Sequence, residues 1–157
     1  MLKATELSSN GFIGKMELPA LHIGKSASVL SKVSADKLVP ALYPESSLYQ
    51  EMPPVLATGF MIGLMEWAAI EILHPCLQPA KISLGTDVAV SHEKATIEGA
   101  EVIAEATVAS ISGKTVTFDV VVRENDRIVG VGTHRRVIVD RQRFEAKLGI
   151  GARGTLR

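Results

Sequence analysis

Four positions in this 157-residue chain carry groups or gaps that could do chemistry together: Thr58, Glu66, Gly85 and His92. A hydroxyl, a carboxylate and an imidazole are the groups of nucleophilic and general acid–base catalysis. His92 suits a general base or an orienter of the nucleophile, and the attacking group is open among Glu66, Thr58 and a water. Gly85 has no side chain to obstruct a backbone N–H from approaching a developing oxyanion. Thr58 and Glu66 lie eight residues apart. On one helix that is about two turns, roughly 12 Å along the axis. They share a similar face but cannot touch. Joint action on one bond then needs a substrate that bridges them, or one residue from a second subunit.

Each residue also has a plainer reading. Thr58 follows a Pro pair and could cap a helix start. Glu66 sits in an apolar helix, where a buried carboxylate needs a partner or a raised pKa, and backbone donors alone could tie it down. His92 ends a strand before Glu93 and Lys94 and could be a surface histidine, while Gly85 could mark a bulge. His134 reads as structural or hydrogen-bonded near a site. The four histidines, His22, His74, His92 and His134, lack close metal-ligand spacing, so no metal is assigned. No glycine-rich phosphate loop occurs.

The elements that must position these residues follow from pattern. Pro53 to Leu77 is the one long helix candidate, with Pro53 and Pro54 at its start and Pro75 at its end. Val55 to Leu73 is apolar on nearly every face, which predicts a buried helix. Gly59 and Gly63 leave it a smooth patch. A membrane span is excluded, because the apolar run before Glu66 is too short. After Ala80, the segments Lys81–Ser91, Ala100–Ser110, Thr115–Arg123 and Arg127–Val139 are rich in Val, Ile and Thr. The second alternates, with Val102, Ala104, Ala106 and Val108 on one face. Ser112-Gly113 and Asn125-Asp126 are turn signals between strands. Ser26–Ser34 adds a strand upstream. One strand, one buried helix and an antiparallel meander predict an α+β domain with its sheet curled around the helix. Unprotected sheet edges and an uncovered helix flank predict a homodimer that continues the sheet.

Composition narrows the class. The chain has 46% apolar residues and 17 basic against 17 acidic side chains, which describes one folded domain and not a nucleic-acid-binding surface. A single cysteine, Cys76, and the absence of a signal peptide in residues 1–23 predict a cytoplasmic protein. Charge is uneven, however: residues 127–157 hold eight Lys/Arg and two Asp/Glu. That cationic end could meet an anionic ligand or a partner, or be a solvated strand with a loose Gly-rich tail.

The strings Leu42-Tyr43-Pro44-Glu45-Ser46, Ala57-Thr58-Gly59-Phe60-Met61, Gly63-Leu64-Met65-Glu66-Trp67-Ala68, Ser83-Leu84-Gly85-Thr86, His92 and Gly132-Thr133-His134-Arg135-Arg136, in this order and spacing, resemble the fluoroacetyl-CoA thioesterase family of hot-dog-fold enzymes. The resemblance runs from about Gly24 to Lys147. It divides the chain into an N-terminal extension (1–23), a hot-dog thioesterase domain (24–148) and a flexible tail (149–157). It implies a hydrolase of short acyl-CoA with no separate cofactor, CoA being part of the substrate. It implies a homodimer, or a dimer of dimers, with sites at the subunit interface. By position, the family's catalytic residues fall on Thr58, Glu66 and His92, its carbonyl-facing glycine on Gly85 and its functional arginine on Arg136. Arg136 is expected to bind, through an anionic part of CoA or by bracing a site carboxylate. Met52 replaces an aromatic residue of the acyl pocket, which predicts a weaker preference for fluoroacetyl-CoA. An acyl-CoA-binding sensor module and a hot-dog hydratase are the competing readings.

Overall fold

The computed structural model describes residues 20–153. Strand β1 (Ser26–Lys32) leads through a 3-10 turn to two one-turn helices, α1 (Val39–Leu42) and α2 (Ser47–Gln50). The long helix α3 (Thr58–Leu73) follows, then strands β2 (Lys81–His92), β3 (Glu101–Ser112), β4 (Thr115–Glu124) and β5 (Arg127–Asp140), and a short helix α4 (Arg141–Lys147). The tail assigned to 149–157 begins with a 3-10 turn at Ile150–Arg153, and the rest of it, like residues 1–19 of the expected extension, lies outside the described residues.

All pairings in the five-stranded sheet are antiparallel, in the order β1-β3-β4-β5-β2. The β3–β4 and β4–β5 hairpins turn at residues where backbone φ is positive, Gly113 and Asn125. The meander is therefore β3-β4-β5 alone. β2 does not join its sequence neighbour β3. It crosses to pair with β5, which leaves β2 as a free edge twelve residues long.

The alternation in β3 builds the core. Val102, Ala104, Ala106 and Val108 are buried, facing the same layer as Val116, Phe118, Val120 and Val122 of β4. Against them α3 lays Met61, Met65, Ala68, Ala69, Ile72 and Leu73, at the 3–4 spacing of one helix stripe. Close approach is needed where α3 crosses β5. A Cβ on Gly130 would lie 2.5 Å from the sulfur of Met61 and 2.7 Å from the Ser91 carbonyl, so only glycine fits.

Two expectations for the helix change. Its start is Thr58, not the Pro pair, because residues 55–57 are held extended: Leu56 N–H donates to the Thr96 carbonyl and Ala57 N–H to that of Lys37. It is also buried on one side only. Trp67 is 48% and Ile70 39% exposed, and a Cβ on Gly63 would meet open space. A helix apolar all round has two faces to cover, and one five-stranded sheet covers one of them.

Candidate active site

Thr58 is the first residue of α3, and the N-cap position belongs to Ala57. Its hydroxyl does not cap the helix. Instead Thr58 Oγ1 lies 2.8 Å from His92 Nδ1, at the end of β2. What brings the two together is the packing one turn along. His92 pairs with Gly130, and Gly130 is where Met61 seats the helix on the sheet. The other ring nitrogen, His92 Nε2, is buried and has no hydrogen-bond partner among the described residues. Such an orphan is costly unless a further group meets it. A hydroxyl held against an imidazole is the geometry of a nucleophile–base pair.

Two turns further on, a second group forms. Glu66 Oε1 lies 3.8 Å from Arg136 Nη1 and 3.9 Å from His134 Nε2. Its side chain is 39% exposed, so the carboxylate expected to be buried instead stands at the edge of the helix. Gly85 pairs with Arg136 across the β2–β5 ladder. A Cβ at Gly85 would fall 2.7 Å from Glu66 Oε1, 3.2 Å from His134 Cε1 and 3.6 Å from Arg136 Nη1. The ladder slips between Gly85 and Asp87, so the bulge anticipated for Gly85 and its open approach to the site coincide.

Arg136 is a buried cation held from three sides. Its Nε donates to Ser83 Oγ (2.9 Å), Nη2 to the Ser83 carbonyl (2.8 Å) and Nη1 to His134 Nε2 (3.2 Å). Burial pushes its pKa below the ordinary arginine value, and the Glu66 carboxylate works against that. A guanidinium only donates, so His134 Nε2 must accept, and His134 Nδ1–H then donates to the Asp87 carbonyl at 2.9 Å. The ring is thus the neutral Nδ1–H tautomer. Burial holds His134 below the usual histidine pKa; the Asp87 carbonyl raises it, Arg136 lowers it further, and Glu66 and Asp87 raise it. Of the two binding roles expected for Arg136, bracing a carboxylate fits a side chain this enclosed.

The expected residues therefore assemble as two groups, Thr58 with His92 and Glu66 with Gly85 and Arg136, separated along α3. Met52 joins neither: it is exposed, just after α2. His134, read from the sequence as structural or hydrogen-bonded near a site, stands in the second group, and so does Ser83, to which the sequence assigned no role. Their signal was the two-residue strand period, which sets Ser83 on the face of Gly85 and His134 on the face of Arg136. Among the described residues, no three His, Cys, Asp or Glu side chains gather as a metal site, and no helix is long and apolar enough to cross a membrane.

Comparison with known proteins identifies the family and the fold. The sequence profile of a family described as fluoroacetyl-CoA-specific thioesterase matches residues 41–142. The fluoroacetyl-CoA thioesterase of Streptantibioticus cattleyicolor is 40% identical over 116 residues, spanning 74% of this chain and 84% of that protein. A solved structure of the fluoroacetyl-CoA thioesterase FlK superposes with a TM-score of 0.80 at 36% identity, covering 87% of this chain and 98% of its own. A hot-dog-like protein from Thermanaerovibrio acidaminovorans superposes at TM-score 0.70 and 23% identity, over 86% and 94% of the two chains, a likeness of fold alone. The fold is the hot-dog fold.

Proposed function

The chain belongs to the fluoroacetyl-CoA-specific thioesterase family and is a thioester hydrolase; from that premise we propose that it cleaves a short-chain acyl-CoA to the free acid and CoA at a site completed by two subunits. The observation that carries this reading is the 2.8 Å contact between Thr58 Oγ1 and His92 Nδ1. His92 takes the proton of the attacking O–H, which belongs to Thr58 itself or to a water that Thr58 holds. The attacking oxygen bonds to the carbonyl carbon, the C–S bond breaks, and CoA leaves as a thiol with the proton His92 had taken; where Thr58 attacks, a water then hydrolyses the acyl-threonine ester to the free acid by the same route. A thiol of pKa about 8.5 departs with less acid assistance than an alcohol or amine. The harder step is charge growing on the carbonyl oxygen. Gly85 supplies the open backbone that faces it, and Arg136 braces Glu66 beside it.

The two groups are about 12 Å apart on α3, too far to flank one thioester carbonyl within a chain. The free edge of β2 offers a solution. Antiparallel pairing with a second copy, about a twofold axis between Val88 and Ala89, sets Gly85 opposite the partner subunit's His92. It also continues the sheet and gives the exposed side of α3, with Trp67 and Ile70, a surface to cover it. A homodimer in the cytoplasm is the setting we propose, which a single buried, unpaired thiol at Cys76 supports.

The substrate we propose is acetyl-CoA or another short acyl-CoA, with a weaker bias toward fluoroacetyl-CoA than the family's name states, because Met52, exposed and outside both groups within one chain, offers a flexible side chain in place of a flat ring to an acyl group enclosed only in the dimer. A screen of free-thiol release from acetyl-, fluoroacetyl-, propionyl- and longer acyl-CoA tests the activity. Glu66→Gln and His92→Ala are each expected to lower turnover at least 100-fold, the scale of lost acid–base catalysis. Near-normal turnover in either folded variant would remove that residue from the site.

A further inference from the structure

His134 has no task in the thioester chemistry above, yet at 1% exposed it is enclosed more completely than any other polar side chain of the two groups. Strand alternation sets it on the face of Arg136, two residues on, and its backbone pairs with Val88 of β2 and Phe118 of β4. Phe118 stacks along the imidazole with ring centroids 6.4 Å apart. Both ring nitrogens are spent on the frame around Arg136. Nδ1–H donates to the Asp87 carbonyl at 2.9 Å, where the β2 ladder slips, and Nε2 accepts from Arg136 Nη1 at 3.2 Å. With Nε and Nη2 on Ser83, every nitrogen of the guanidinium is held. Glu66 is not. Its Oε1 stands 3.8 Å from Arg136 Nη1 and 3.9 Å from His134 Nε2, beyond hydrogen-bond range of either. The field of one cation holds the carboxylate, across a gap that a proton on the ring would close.

We propose that His134 is a positioning residue, which rests on the thioesterase reading above: its unprotonated Nε2 fixes the Arg136 guanidinium, and through it the Glu66 carboxylate, so that the site works only while this ring is neutral. A proton on Nε2 has three effects. Arg136 Nη1 loses its acceptor, and a second cation arises 3.2 Å from the first. The new N–H faces Glu66 Oε1, and a charge-assisted bond closing to about 2.8 Å draws the carboxylate about 1 Å off its place over Gly85. A displacement of about 1 Å in a catalytic constellation costs on the order of 100-fold. The charges facing the ring oppose one another. Arg136 on β5 disfavours the proton, while Glu66 on α3 and Asp87 on β2, itself 3.6 Å from Arg135, favour it; β4 sets Phe118 alongside. Burial decides the balance and keeps the His134 pKa below the usual histidine value, so the ring is neutral at neutral pH.

The test separates the two nitrogens. In His134→Gln the amide oxygen takes the place of Nε2 and accepts from Arg136; in His134→Asn the amide nitrogen takes the place of Nδ1 and donates to Asp87, and Arg136 Nη1 goes without its acceptor. Free-thiol release from a short acyl-CoA gives kcat/KM against pH for both variants and the wild type, beside thermal unfolding. At about pH 8, His134→Gln is expected to stay within about threefold of wild type and His134→Asn to lose more than about tenfold, the scale of one hydrogen bond to a charged group. A ring that only fills space predicts equal losses. The acid limb gives a second readout. Wild type should lose activity with one proton more than His134→Gln, whose limb belongs to His92 and Glu66 alone. Equal losses in the two variants, or acid limbs of equal steepness, overturn the assignment, and the limbs carry the test if His134→Asn unfolds. Nitrogen-15 NMR of the wild-type imidazole needs neither variant nor substrate. It should show the neutral Nδ1–H form at neutral pH, and a charged ring there overturns the assignment as well. If the wild type hydrolyses no acyl-CoA while the ring shows that form, the hold on Arg136 stands and the thioesterase reading fails.

Discussion

Replacing Gly85 by alanine probes the Glu66 group of the candidate site with a single carbon atom. The new methyl would sit 2.7 Å from Glu66 Oε1 and 3.2 Å from His134 Cε1. Ordinary contacts of this kind need about 3.5 Å, so the carboxylate must retreat by close to 1 Å. Glu66 can do so, because its side chain is 39% exposed and its far end is free to swing. The strain is thus relieved mainly by motion of the Glu66 carboxylate, and the fold loses under about 1 kcal/mol, less than overpacking costs in a closed core. Activity responds differently. A misplacement of about 1 Å in a catalytic constellation costs on the order of 100-fold. That is about 2.7 kcal/mol in the barrier. The assay is free-thiol release from a short acyl-CoA, beside thermal unfolding. Gly85→Ala is expected to lose about 100-fold in kcat/KM with its Tm lowered by only a few degrees. Adding Glu66→Asp, which withdraws the carboxylate by one methylene, should make the double variant better than the product of the two singles. Wild-type activity in folded Gly85→Ala would refute the placement of Glu66 against Gly85.

Gly130→Ala tests how the first group is seated. Its methyl meets Met61 and the immobile Ser91 carbonyl, so unfolding in urea should show a loss of about 1–3 kcal/mol; a loss below about 0.5 kcal/mol contradicts the packing. His134 gives a pH dependence. Its pKa is lower folded than unfolded, so the unfolded chain binds more protons just below the unfolded pKa of about 6.5. The stability from its neutral form is complete above that pH and falls as pH drops through the folded pKa. His134→Gln, which can still accept from Arg136, should flatten that slope between neutral and mildly acidic pH, and an unchanged slope assigns the acid loss to other groups. Met52 predicts selectivity: the kcat/KM ratio of fluoroacetyl- to acetyl-CoA should stay below about 10⁴, since small apolar differences discriminate weakly. A larger ratio places specificity elsewhere.

What the sequence revealed and what it hid have physical reasons. The β3 alternation was legible because one face of that strand is wholly buried, so Val102, Ala104, Ala106 and Val108 leave a period of two. The hairpin turns at Gly113 and Asn125 were local and also readable. The start of α3 was misplaced because Pro53-Pro54 looks like a helix beginning. Bonds from residues 55–57 to the distant Thr96 and Lys37 hold that stretch extended instead. The crossing of β2 to β5 was hidden, and the uncovered flank of α3 was foreseen without the residues, Trp67 and Ile70, that form it. An apolar face looks the same in sequence whether it meets its own sheet or another surface. The candidate residues could be named from the sequence as types and not as contacts. Thr58 meets His92 across 34 positions of chain, and Arg136 grips Ser83 across 53, separations that no local period encodes.

The central claim is a site built from Thr58 and His92 of one subunit and Glu66, Gly85 and Arg136 of the other. Co-expression of Glu66→Gln and His92→Ala chains carrying different tags tests it most directly. In a mixed dimer, one site would gather both defects and the other none. Two inactive proteins together should then recover about a quarter of the wild-type rate, the statistical share of intact sites when protomers pair freely. Purified mixed dimers that stay as inactive as their parents would place the whole site within one chain and contradict it.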